Sequence, residues 1–292
     1  MDDATLSVPL KAKDYKSEVP PTWCPGCGDY GVLNATLKAF VKLELDINKT
    51  ALVSGIGCSS RFPYFVKTYG MHTAHGRALP VAAGLKVARP DQEVIVFGGD
   101  GDGFSIGGGH VPHIARKNTD ITYVCMDNAI YGLTKGQMSP TSQLGMITST
   151  TPYGVPDRPM NTLMLVLSYG ATFVAQGFSS EGAKLTDIIA KAIEHKGFSF
   201  VNIISPCPTF NLINTHESYK GNIVSVPESH KVDDLIGAIK LANDFVGGEK
   251  IMTGIYYQNQ RETLVDRLQV IKEKAGSSAD FDINTVIDGY RP

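Results

Sequence analysis

Five short apolar runs rich in β-branched residues recur along the chain: "TALVSG" (50–55), "EVIVFGG" (93–99), "DITYVCMDN" (120–128), "ATFVAQG" (171–177) and "FSFVNIISP" (198–206). Runs of that length, with apolar residues adjacent rather than alternating with polar ones, suit strands covered on both faces. Helical patterns lie between them. "DYGVLNATLKAFVKL" (29–43) sets Val32, Leu33, Leu37, Phe40 and Val41 on one face, and "SSEGAKLTDIIAKAIEHKG" (179–197) opens on serines and closes on glycine. This alternation predicts an α/β fold with a doubly wound, mostly parallel sheet, and ligands just beyond the carboxyl ends of its strands.

With 292 residues, 42% of them hydrophobic, the chain can fill a large core. A formal charge of −2 without a basic run argues against a nucleic-acid partner. No apolar stretch reaches the roughly 18–20 residues that span a bilayer, and "MDDATLSVPLKAKDY" lacks the apolar segment of a secretory signal. The expectation is a cytoplasmic protein with no membrane contact. Residues 1–226 are expected to hold an extended arm, a cysteine loop and the α/β domain. The more charged residues 227–292 are expected to form an extension packed on the core or on a partner.

The run "GGDGDGFSIGGGH" (98–110) places two acids among seven glycines directly after an apolar strand. Glycines there let backbone amides approach an anion closely. Neither the glycine order of a dinucleotide fingerprint nor the Gly-Lys-Ser/Thr ending of a P-loop is present. The acids indicate a divalent cation, since Mg²⁺ bound to a diphosphate takes carboxylate, amide and carbonyl oxygens. A second donor follows from the next strand, with 26 residues between Gly101 and Asn128. Gly99-Asp100-Gly101, that spacing, then Asn128 resembles the thiamin diphosphate binding motif. The resemblance implies Asp100, Asn128 and the Ile130 carbonyl as Mg²⁺ ligands. Asp102 offers a competing register and is expected to touch the diphosphate or its surroundings.

"WCPGCGDYG" turns Cys24 and Cys27 toward one point; Cys58 follows in "SGIGCSS" and Cys207 in "ISPCPT". Four thiolates form a tetrahedral set that suits zinc or a [4Fe–4S] cluster equally on spacing. Cys125, inside a central strand, reads as a buried small residue. Decarboxylation of a 2-oxoacid on thiamin diphosphate leaves electrons that an iron–sulfur cluster takes up singly; zinc does not.

Together "WCPGCGDYGVLNATLKAF", "SGIGCSSRFPYF", "AHGRALPVAAGLK", "VFGGDGDGFSIGG" and "DNAIYGLTKGQMSPTS" resemble the β subunit of 2-oxoacid:ferredoxin oxidoreductases, over about Tyr15 to Pro208. The resemblance implies one [4Fe–4S] cluster on Cys24, Cys27, Cys58 and Cys207. It implies cofactor contacts from Ile56, Gly57, Cys58, Ser59, His75, Tyr131, Gly132, Leu133 and Thr134. Ser60 and Arg61 fall where the family meets substrate, and a guanidinium suits a 2-oxoacid carboxylate; His75 falls where it approaches the cofactor. It further implies an α (or α/γ) partner subunit supplying the rest of the thiamin site, assembly as a dimer of such pairs, and CoA and ferredoxin as co-substrates. The phrasing "GDGDGFSIGGGH" and "IYGLTKGQMSPTS" is closer to 2-oxoglutarate-type than to pyruvate-type members. The alternatives left open are a pyruvate enzyme, or a non-oxidative decarboxylase subunit with structural zinc.

Overall fold

The computed structural model describes residues 10–245, 250–276 and 282–291. The five expected strands form where the apolar runs lie: β1 (Thr50–Ser54), β3 (Glu93–Gly99), β4 (Thr122–Asp127), β5 (Phe173–Phe178) and β6 (Ser199–Ile204). Three more were not anticipated: β2 (Tyr69–His72), β7 (Ile223–Ser225) and β8 (Ile251–Gln258). The eight strands make one sheet in the order β2-β1-β3-β4-β6-β5-β8-β7. Every pairing is parallel except β5 with β8. Strand β2 carries four exposed residues, so its strand character comes from pairing with β1 and not from its own pattern.

Alternate strand residues feed two cores, as the pleat requires. On one face Leu52, Ile95, Phe97, Val124, Met126 and Val201 meet α1 (Asp29–Lys42) and α5 (Gly182–Glu194). On the other, Val94, Val96, Tyr123, Cys125 and Phe200 meet α2 (Ala78–Ala88), α3 (Val111–Lys117), α4 (Thr162–Ser168) and α7 (Leu235–Phe245). Cys125 is wholly buried in this second layer. The arm is tied down by Tyr15, which is fully buried and whose hydroxyl donates to the Leu45 carbonyl at 2.7 Å. Beyond residue 226, β8 extends the sheet through β5, whereas α8 (Leu264–Ala275) and α9 (Ile283–Asp288) bury none of their residues.

Because the central strands run parallel, the loops after β1, β3, β4 and β6 emerge on one edge. These loops carry Cys58, Asp100, Asn128 and Cys207 respectively. Between β4 and α4, residues 128–161 form no regular element apart from an isolated Tyr131–Gln137 bridge, and they fold along this edge.

At the opposite end of α5, His195 is buried, with Nε2 2.9 Å from the Thr172 hydroxyl. Burial holds its pKa down at about 4, against a weaker upward pull from Asp120. The folded protein therefore keeps this ring neutral, whereas the unfolded imidazole titrates near 6.5. Its contribution to stability is complete above about pH 6.5 and drains away as pH falls toward 4. Thermal unfolding should show a lower Tm at pH 5 than at pH 7, and His195→Gln should flatten that slope; an unchanged slope would locate the acid lability elsewhere.

Candidate active site

Strand pairing fixes the acid end of the site. The β3–β4 register sets Gly99 opposite Met126, so Asp100 and Asp127 leave the sheet side by side, with Asn128 next. The Asn128 amide faces Asp100 Oδ1 at 3.5 Å. Ala129 then takes a left-handed conformation (φ 55°), unusual for a residue with a Cβ, and the turn is held from both sides. Its N–H donates to Asp127 Oδ1 at 3.1 Å, and its carbonyl accepts from the Ser142 hydroxyl at 2.7 Å. Asn211 donates to the Asn128 carbonyl at 2.8 Å, and the Asn128 side-chain oxygen accepts from the Ile130 amide at 3.1 Å.

Asp100 is 2% exposed. Burial, reinforced by the charge of Asp127, pushes its pKa up to about 7, and burial also raises Asp127. One hydroxyl stands between them: Thr141 Oγ1 lies 2.7 Å from Asp100 Oδ2 and 2.8 Å from Asp127 Oδ1. It has a single proton to donate. Both contacts are favourable only when the acid pair retains a proton or a cation draws off its charge.

Asp102, two residues on, faces elsewhere. Its Oδ1 accepts from the Ile56 amide at 3.0 Å and the Gly76 amide at 2.7 Å, and lies 2.5 Å from His75 Nδ1. Because an ionised carboxylate only accepts, the proton sits on Nδ1 and Nε2 is left for other chemistry. The structure thus brings Asp100, and not Asp102, against Asn128, while Asp102 braces the loops after β1 and β2. The loop glycines also admit protein neighbours: a Cβ at Gly101 would lie 2.5 Å from the Tyr131 ring, and one at Gly103 1.9 Å from the Tyr123 hydroxyl. Tyr131 in turn donates to the Gly101 carbonyl at 2.9 Å.

The four expected cysteines converge. Cys24, Cys27, Cys58 and Cys207 line one cavity of about 150 Å³ together with Trp23, Arg61, Asn128, Gly132, Leu133 and Phe210. All four are free thiols, Cys24 exposed and Cys207 buried. The Trp23 indole N–H donates to the Cys58 carbonyl at 2.7 Å, and the Gly28 amide to the Pro206 carbonyl at 3.0 Å, tying three separate stretches together. Gly57 precedes Cys58 at φ 136°, a backbone region that side chains rarely enter. Burial, then the charge of Asp29, pushes the Cys58 thiol up to about 11, and the same two causes in the same order raise Cys27. Burial likewise lifts Asp29 to about 6, opposed by the hydrogen bond it accepts from Ser205 at 2.6 Å. Thiolates here need positive charge nearby, as a metal centre provides. Among the described residues no three Cys, His, Asp or Glu side chains are arranged to hold a single metal ion.

Gly132 joins the two halves. A Cβ there would stand 3.5 Å from Cys207 Sγ, 3.7 Å from Cys58 Sγ and 3.8 Å from Asn128 Nδ2, so one stretch of backbone borders both thiols and Asn128. Arg61 lines the cavity and donates to the Thr22 hydroxyl at 3.0 Å. Ser59 and Ser60 are buried, and the Ser60 hydroxyl has no partner among the described residues. Thr134 hydrogen-bonds the Gln137 side chain, while Ile56 and Leu133 are exposed on the same edge. Sequence reasoning missed Asp127, Thr141, Ser142 and Asn211. Asp127 lies inside the run 120–128 that reads as a strand, and the others acquire their partners only through the fold.

Asp102→Ala would strip an acceptor from the Ile56 and Gly76 amides and from His75. An unfolding free energy lower by about 3 kcal/mol is expected from denaturant titration; an unmoved midpoint would show that water replaces the carboxylate.

Comparison with known proteins shows the family. Residues 55–203 match the family model of the thiamine pyrophosphate enzyme C-terminal TPP binding domain, and residues 207–273 match that of the C-terminal part of the pyruvate ferredoxin oxidoreductase beta subunit. The chain is 41% identical over 269 residues to a 2-oxoacid:ferredoxin oxidoreductase subunit beta of Saccharolobus solfataricus, covering 88% of each chain. It is 38% identical to a 2-oxoglutarate synthase subunit KorB of Methanothermobacter marburgensis, covering 94% of this chain and 95% of that one. A solved 2-oxoglutarate:ferredoxin oxidoreductase from Magnetococcus marinus, with 2-oxoglutarate, coenzyme A and succinyl-CoA bound, is 54% identical, with a TM-score of 0.92 and 97% coverage of both chains. With a thiamin-binding α/β domain and these relatives matching along most of its length, the chain belongs to the family of 2-oxoacid:ferredoxin oxidoreductase beta subunits.

Proposed function

We propose that this chain is the thiamin diphosphate-binding and electron-carrying half of a 2-oxoglutarate:ferredoxin oxidoreductase. In this reading the complex converts 2-oxoglutarate and CoA to succinyl-CoA and CO₂, or runs the reverse carboxylation. The observation that carries it is the shared wall at Gly132, where the thiol cavity and the Asp100–Asn128 corner meet. Thiamin diphosphate supplies the carbon nucleophile that lets a 2-oxoacid lose CO₂, and a [4Fe–4S] cluster supplies a one-electron acceptor.

The chain's own residues fit these groups. Asp100, Asn128 and the Ile130 carbonyl offer the hard oxygen set that Mg²⁺ takes on a diphosphate. Cys24, Cys27, Cys58 and Cys207 surround one cavity, and a ferredoxin-linked reaction favours an iron–sulfur cluster there, because zinc has no redox chemistry. Arg61 offers its guanidinium to the substrate carboxylate, with Ser60 beside it. His75, held by Asp102 through Nδ1, would have Nε2 free to meet the cofactor. The rest of the thiamin site comes from a partner α subunit, αβ pairs associate as dimers, and soluble ferredoxin collects the electrons in the cytoplasm. The choice of 2-oxoglutarate over pyruvate rests on the names carried by the relatives.

Two measurements test this. Anaerobically purified complex should contain about four irons per chain with a broad visible chromophore, both lost in Cys58→Ser; stoichiometric zinc without iron would overturn it. Arg61→Leu should raise KM for 2-oxoglutarate at least tenfold, about 1.4 kcal/mol, with iron content intact. An unaltered KM would remove Arg61 from the substrate site.

A further inference from the structure

The Asp100–Asn128 corner is clasped by a turn that belongs to neither strand. Thr141 touches both Asp100 and Asp127, Ser142 holds the left-handed Ala129 carbonyl, and Ser139 closes the turn, its amide donating to the Ser142 hydroxyl at 2.8 Å. Ser139 and Ser142 are buried. Asp100 has one carboxylate oxygen, Oδ1, facing the Asn128 amide, while Oδ2 is engaged by Thr141. Without that hydroxyl, two buried carboxylates would stand side by side at the strand ends with nothing between them, and each would turn away from the other.

We propose that Thr141 is a positioning residue for the divalent cation: its hydroxyl fixes the rotamer of Asp100 and separates it from Asp127, so that Asp100 and Asn128 present their oxygens to one point. This rests on the assignment of Asp100 and Asn128 as Mg²⁺ ligands. Groups that orient a metal ligand in this way change metal affinity about 10- to 100-fold when removed.

The test uses the chain co-expressed with its partner subunit and stripped of cation, with Mg²⁺ titrated calorimetrically at fixed thiamin diphosphate. Thr141→Val keeps the shape and loses the hydroxyl; Thr141→Ser keeps the hydroxyl. A Mg²⁺ Kd raised about 10- to 100-fold in Thr141→Val, returned to within about threefold of wild type in Thr141→Ser, is the expected result. The Tm of the cation-free protein, measured alongside, should fall in Thr141→Val, which strips the shared donor from two buried acids, and recover in Thr141→Ser, with all three folded at the titration temperature. A Thr141→Val Kd within twofold of wild type overturns the proposal, as does a weakening that Thr141→Ser does not rescue. Asp100→Asn separates the two levels. If it abolishes Mg²⁺ binding while Thr141→Val does nothing, only the role of Thr141 fails; if it too binds normally, the ligand assignment fails and the role of Thr141 with it.

Discussion

The pairing of β3 with β4 is the constraint from which the site follows. A parallel ladder in that register delivers Asp100 and Asp127 to the same edge as neighbours, both out of water. Two buried carboxylates separated by a single hydroxyl are costly, and the surrounding groups contain that cost. Thr141 supplies a donor between them, the Ala129 amide occupies Asp127, and Asn202 approaches Asp127 from β6. A corner with an excess of buried negative charge suits a divalent cation, so under the proposed assignment the same local instability would supply the site's affinity.

The second half of the edge works on a similar principle with softer atoms. Burial raises the Cys27 and Cys58 thiols, and an acid behind them, Asp29, deepens the effect, so thiolates there would need positive charge beside them. Arg61 lies on the cavity wall and acts in the opposite sense on Cys58. The two halves share the backbone at Gly132, where the missing side chain leaves room on both sides.

Much of this was legible in the sequence because central parallel strands are buried on both faces and advertise themselves as unbroken apolar runs. All five such runs became strands within a few residues of where they read. The meeting of Asp100 with Asn128 and of the four cysteines at one cavity was legible because the α/β alternation brings the loops after these strands to one edge. Strand β2 was not, since "YGMH" is exposed and borrows its conformation from β1. Strand β8 was missed as well: Gly254 interrupts it at φ 143°, and it pairs with β5 across an irregular register. The loop glycines read as room for phosphate, yet Gly101 and Gly103 are also filled by tyrosines from distant segments. Thr141 carried no signal of its own, because its two partners meet only after the sheet has closed.

The cysteine cage has a consequence for how the protein matures. Its walls come from residues 24–27, 58, 128–133 and 207–210, drawn together across the sheet. No short peptide contains the cage, in contrast to a chelating motif whose ligands lie within a few residues of one another. Such a cavity exists only once β1, β4 and β6 lie in order, and contacts this remote in sequence form late. An inorganic group held there, as proposed, would therefore be delivered to an assembled scaffold, so that its loading would follow folding and not seed it.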